Sequence, residues 1–201
     1  MANELAGHDG EALSDEQLAQ IRDAQIQRLI DLKFHELREM SADDYRASFP
    51  DILPQPDTYR GRFDIPLVVD PLIHTPQLTA AGIYGIDMHK LTNTVEVPGS
   101  PYTMWTSDAS SYAGDSHYDM MGQLEPDEVA GSLAEVVALY VQHPVLFIDF
   151  AVIAAGSRYH GFASPHIQTF DGQARIDTIF DTSAFPNYGG LSRGAVINDE
   201  V

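Results

Sequence analysis

Three short stretches carry side chains whose type and spacing suit chemistry. In Asp115-Ser116-His117-Tyr118-Asp119, two carboxylates flank an imidazole at two-residue steps. On a strand, alternate side chains share a face, so the three would converge as oxygen and nitrogen ligands for a divalent metal such as zinc, iron or manganese. Asp87 and His89 repeat the step, and His74, His160 and His166 offer further ligands. The opposing reading is a solvated Gly- and Ser-rich loop, because an acidic chain with 8 histidines produces such spacings by chance. The second stretch is Val145 to Val152, where Asp149 is the one charge in an apolar run. A carboxylate there must be paired or neutral. It reads either as a structural acid bonded to a donor such as Arg158, or as a catalytic acid held ready for proton transfer. The third, Gly156-Ser157-Arg158-Tyr159-His160-Gly161, sets the Ser157 hydroxyl, the Arg158 guanidinium and the His160 imidazole at a strand end, where ligands or partners bind. Between Arg62 and Arg175 the only bases are Lys90 and Arg158. Arg158 reads as an anion ligand or as a fork that neutralises nearby acids.

Other chemistries are excluded. Cysteine is absent, which removes disulfides, thiolate metal sites and cysteine nucleophiles. Neither glycine-rich phosphate loop occurs, and Ser157 lies outside a GxSxG elbow, so no cofactor is expected beyond the metal alternative. The formal net charge is −19, and residues 63–157 hold twelve acids against Lys90 alone. A phosphate backbone is repelled by such a surface, so nucleic acid is not an expected partner. Pro144 to Gly156 is too short to cross a bilayer, and the first ten residues lack a basic and an apolar region. The expectation is a soluble cytoplasmic protein without a membrane partner.

The elements that must position these residues fall into an α+β order: N-terminal helices followed by a mainly antiparallel sheet with one long packing helix. Residues 1–13 read as a flexible start. Residues 14–49 read as helical. Ser14 with Gln17 forms a capping box, Leu18, Ile21, Gln25, Leu29 and Leu32 share a stripe, and Ser41 opens a second helix that Pro50 stops. Residues 50–62 hold three prolines and read as a linker. Residues 63–201 read as the α+β domain. Within it, Ile65–Val69 and Tyr102–Thr106 are expected strands, with Trp105 in the core. Thr75 caps a short helix that Gly82 ends. Pro126 opens the long helix, and Pro144 closes it. Val145 to Ala154 is expected as the central strand. Asp171-Gly172 marks a two-residue hairpin, and the chain from Ala184 reads as loop.

Several of these stretches together resemble an actinobacterial domain-of-unknown-function family, from about residue 25 to 170. Leu29 to Phe34 stands for its Leu-x-x-Leu-Gly-aromatic stretch, with Lys33 in place of Gly. Pro66 to Val69, Pro101-Tyr102, Leu124 to Glu128, His143-Pro144, Gly156-Ser157-Arg158 and Pro165 to Ile167 follow in the family's order. The chain departs from the family at Trp105 to Ser110 and at Phe185 to Gly190. The resemblance implies a fold and a host range, and no activity.

The favoured reading is an acidic non-enzymatic binding or assembly protein that contacts a protein partner or associates with itself. The alternatives are a metal-dependent hydrolase using Asp115, His117 and Asp119 with Asp149, and an inhibitor or immunity-type protein against a basic enzyme.

Overall fold

The computed structural model of the chain describes residues 12–148 and 150–199. Residues 1–11, most of the segment read as a flexible start, lie outside the described residues, and so does Asp149.

The chain opens with α1 (Asp15–Asp31), and the Ser14–Gln17 capping box is present at its start. Leu18, Ile26 and Leu29 of α1 are buried against the rest of the molecule. Gln25 is buried with them because it imitates a strand. Its Nε2 donates to the Pro66 carbonyl at 2.8 Å, and its Oε1 accepts the Val68 N–H at 2.8 Å. The short helices α2 (Phe34–Leu37) and α3 (Ala42–Ala47) follow. Arg38 forks onto the buried Asp70 carboxylate, which also accepts the Tyr45 hydroxyl at 2.8 Å. Residues 50–62, whose prolines suggest a linker, contribute Ile52 and Tyr59 to the main core.

The remaining elements are β1 (Ile65–Val69), α4 (Thr75–Ala80), β2 (Ile83–Tyr84), β3 (Leu91–Asn93), β4 (Tyr102–Thr106), α5 (His117–Gln123) and β5 (Glu128–Ala130). After them come α6 (Leu133–Gln142), β6 (Ala151–Ile153), β7 (Ser157–Tyr159), β8 (Ala163–Phe170), β9 (Gln173–Phe180), β10 (Tyr188–Gly190) and β11 (Ser192–Asn198). They build two sheets. The smaller has the order β1-β4-β11-β5 and is antiparallel throughout. The larger runs β10-β6-β8-β7-β3, with β9 on β8 and β2 on β9. It is antiparallel except at β10–β6 and β2–β9. The fold is therefore α+β, with helices first and mainly antiparallel sheets after them. Among the described residues, no helix is long and apolar enough to cross a membrane.

The helix α6 lies against β1 of one sheet and β8 of the other. It is buried on nearly every side, as expected of a helix this apolar. Its first turn is where the sheets are tied together. Glu135 closes a capping box with Ser132, taking the Ser132 N–H at 2.5 Å. The same carboxylate accepts Arg193 Nε of β11 at 2.7 Å and the Tyr102 hydroxyl of β4 at 2.9 Å. Burial, and then the carboxylate's charge, push the Tyr102 phenol far above its ordinary value, so it stays a donor. From the other sheet, Ser157 Oγ of β7 accepts the Leu133 N–H at 2.9 Å and donates to Asn93 Oδ1 of β3 at 2.7 Å. Both sheets thus meet at one helix end, the larger through the open Leu133 N–H and the smaller through the Glu135 carboxylate.

Four expectations need correction. The packing helix begins at Leu133 and not at Pro126, because residues 128–130 pair with β11 and the Ser132–Glu135 box supplies the start. The segment Val145 to Ala154 is not a continuous strand. Pro144 opens a 3-10 turn over Pro144–Phe147, Val145 and Ile148 are exposed, and among the described residues of this segment the strand is Ala151–Ile153. The central strand of the larger sheet is β8. The chain after Ala184 is not loop, since it forms β10 and β11, and β11 lies inside the smaller sheet between β4 and β5. Lastly, α4 is capped at His74 and not at Thr75, although Gly82 follows its end with a positive φ of 71°.

The buried Glu135–Arg193 pair generates a prediction. Removing one partner strands a charge out of water, so R193M should cost about 3–5 kcal/mol in urea unfolding. The double variant E135L/R193M should cost less than the two single losses added together, by more than about 1 kcal/mol. Additive losses would show that the two side chains do not act as a unit.

Candidate functional site

The side chains with chemical potential gather on the outer face of the β8–β9 hairpin. Asp171 and Gly172, with φ of 49° and 75°, make the two-residue turn that sets its register. That register places Ser164 opposite Ile179 and His166 opposite Asp177. The helix α5 lies over this face, its Tyr118 N–H bonded to the Asp181 carbonyl at 3.3 Å.

Arg158 is the centre of the cluster. Its Nη1 donates to Ser164 Oγ at 3.0 Å and to the Ser157 and Ala155 carbonyls at 3.2 and 3.3 Å. Its Nη2 reaches His117 Nε2, and the Asp181 carboxylate lies 3.7 Å away. Ser164 Oγ in turn donates to Asp181 Oδ1 at 3.1 Å. Burial, and then the neighbouring guanidinium, lower the His117 pKa, so His117 is the neutral acceptor in this contact. Among the described residues the result is a connected network, in which the arginine has one acid beside it and a neutral imidazole as hydrogen-bond acceptor. Among the described residues, the acid beside Arg158 is Asp181, at 3.7 Å from Nη2 alone.

The sequence candidates separate here. Asp115, His117 and Asp119 do not converge, because they start a helix and not a strand, and residues two apart on a helix face different ways. Asp115 accepts Gln123 Nε2 at 2.9 Å, Asp119 closes the cap on Ser116 at 2.6 Å, and His117 turns to Arg158. Among the described residues, no three His, Cys, Asp or Glu side chains are grouped closely enough to hold a metal ion. His74 and His89 border one cleft beside α4, both exposed. Ser157 is spent on the α6 cap and on Asn93, so it offers no free hydroxyl to a ligand. Asp149 lies outside the described residues.

His160 points to a different feature. It is exposed, held at φ 52° in the turn between β7 and β8, and its ring packs on Tyr159 and stacks over Phe162 at 6.1 Å. Phe162 stacks on Phe180 at 6.3 Å. Phe162 is 58% exposed and Phe180 66%, so three aromatic rings form an outward ridge beside the Arg158 network. The ridge and Asp181 escape a residue-by-residue reading of the sequence. The Asp171-Gly172 turn is the signal that finds them, since its register sets Phe180 opposite Ala163, next to Phe162.

His166, read from the sequence as a possible further metal ligand, lies instead in an apolar setting. It is 3% exposed and neither ring nitrogen has a hydrogen-bond partner among the described residues, although the Tyr188 ring lies 4.9 Å away. Burial takes its pKa from the usual 6.5 down to about 4, against a small opposing pull from Asp177.

Comparison with protein-family models, with curated proteins and with solved structures finds no match. The site must be read from its own geometry.

The His166 environment generates a pH prediction. Its folded pKa lies below its unfolded one, so the unfolded chain binds the extra proton first. Stability is then lost as pH falls through 6.5, and the loss levels off below about 4. His166 alone should contribute on the order of 2 kcal/mol of that loss by pH 4.5. H166L should remove this share and leave stability at pH 7 unchanged or raised by about 1 kcal/mol, because an unpartnered polar ring is replaced. Urea unfolding at pH 7 and 4.5 measures both. An unchanged pH slope would contradict the assignment.

Proposed function

We propose that the chain is a non-enzymatic binding protein, acting in the cytoplasm, that takes a basic protein partner on the His160–Phe162–Phe180 ridge. The observation that carries this reading is the exposure of two stacked phenylalanines where β8 begins and β9 ends. Exposed aromatic rings in contact are features of interaction surfaces, and aromatic side chains contribute most to such contacts. The groups that would be needed for bond-making are turned inward: Arg158, His117, Asp181 and Ser164 satisfy one another, and Ser157 caps a helix.

The class of partner follows from charge. At −19, two copies of the chain repel, whereas a cationic surface is drawn in and steered. Phenylalanine faces accept guanidinium groups well, at about 0.5–1 kcal/mol per exposed contact. A basic enzyme blocked on this ridge would be the inhibitor form of the same reading, distinguished by loss of the partner's activity.

Nona-arginine and nona-lysine peptides serve as probes in calorimetric titration. The arginine peptide should bind more tightly, because guanidinium planes stack and ammonium groups do not. Its affinity should fall at least about tenfold from 0.05 to 0.5 M salt, as exposed charges are screened. F162S/F180S should bind it about 5- to 20-fold more weakly, the loss of two stacked contacts. Equal binding by the double variant would show that the ridge is not the contact.

A further inference from the structure

A second feature lies on the opposite sheet. Residues 50–59 arch over β4 and β11 and leave a cavity of about 300 Å³ beneath them. Protein interiors close such space when they can, so its persistence needs a physical cause. Three causes are visible. Pro54 and Pro56 stiffen the arch, and Pro56 is extended at φ −58°, ψ 141°. Hydrogen bonds fix the height of the arch: Trp105 Nε1 donates to the Leu53 carbonyl at 2.9 Å, and Thr103 Oγ1 to the Asp51 carbonyl at 2.9 Å. On the far side β11 bulges. Arg193 pairs with Thr106 and Ile197 with Met104, so three residues of β11 oppose Trp105 alone. The bulge is built around Gly194, where a Cβ would come within 2.1 Å of the Tyr59 ring, and the Tyr59 hydroxyl takes the Val196 N–H at 3.0 Å.

We propose that this cavity is a binding site for a small neutral aromatic molecule of about two fused rings. Size sets the first limit, since a cavity of about 150 Å³ accommodates benzene and this one is twice as large. The lining sets the second. Met104, Trp105 and Tyr59 offer ring faces and a thioether, which favour aromatic contacts, and Ile52 and Ile197 add aliphatic walls. The Trp105 N–H and the Thr103 hydroxyl are already used on the arch itself. The net charge of −19 sets the third limit, because it opposes entry of a carboxylate. Leu53 and Val196, both largely exposed, stand at the mouth. This site is independent of the aromatic ridge, which lies on the hairpin of the other sheet.

The probe is 5-fluoroindole, followed by fluorine NMR and by the indole cross-peak of Trp105, which is the only tryptophan in the chain. The expected result is saturable binding with a Kd below about 1 mM, within reach of a ligand this small, together with a shift of the Trp105 cross-peak. L53F and V196F narrow the mouth from opposite sides, and each should weaken binding at least about tenfold while retaining the thermal melt of the parent. V196F decides alone if L53F does not fold. The corresponding 5-fluoroindole-2-carboxylate should bind at least about tenfold more weakly. Absence of saturation, unchanged affinity in both variants, an unmoved Trp105 cross-peak, or equal binding of the carboxylate would each overturn the proposal. Tighter binding of octan-1-ol in competition would overturn the aromatic class.

Discussion

A carboxylate and a guanidinium share one of the driest places in the molecule, and the fold is arranged so that neither is left alone. Glu135 and Arg193 are both buried, in a helix and a strand that come from distant parts of the chain. Ion pairs in such places are costly unless every donor and acceptor is used. Here the Glu135 oxygens take Arg193, Tyr102 and the Ser132 N–H, and Arg193 spends its remaining groups on the Gly194 and Glu96 carbonyls. The pair therefore imposes a constraint on its neighbours. β11 must lie between β4 and β5, and α6 must be capped at Ser132, or one of these groups is unpaired.

The candidate regions follow from that constraint. The first turn of α6 also takes Ser157 Oγ, which fixes β7 against the helix. With β7 fixed, Arg158 is held where His117, Ser164 and Asp181 surround it, and the turn through His160 and Phe162 is held at its end. The aromatic ridge thus rests on a hydrogen-bonded base. On the other sheet, the strand that carries Arg193 bulges at Gly194 immediately afterwards, and the bulge forms one wall of the apolar cavity. One buried charge pair is thus tied to two features of different character, an exposed aromatic ridge and a largely apolar cavity.

What was legible in the sequence was local. The Ser14 and Ser41 caps, the strands Ile65–Val69 and Tyr102–Thr106 and the Asp171-Gly172 turn depend on residues within a few positions of one another, and each is where the pattern places it. What was not legible depends on pairing across the chain. Residues 128–130 become a strand by pairing with β11, β11 by pairing with β4 and β5, and β10 by pairing with β6. The run from Val145 is apolar enough for a strand, but Pro144 turns it before a neighbour can pair with it. In the candidate site, the sequence shows Arg158 as a rare base that calls for an acid nearby. The identity of that acid was not legible, because Asp181 reaches it only through the hairpin register. The Asp-x-His-x-Asp spacing misled for a simple reason: a two-residue step has meaning on a strand, and Ser116 starts a helix there.

The central claim is that the first turn of α6 joins both sheets into one cooperative unit, and amide hydrogen exchange tests it directly. The account predicts that Val136 of α6, Arg193 and Met104 of the smaller sheet, and Ile167 of the larger one exchange only through global unfolding. All four would then show one common opening free energy and one common dependence on denaturant. If the larger sheet opened at a distinctly lower free energy while α6 and the smaller sheet stayed protected, the helix end would not be the tie between them.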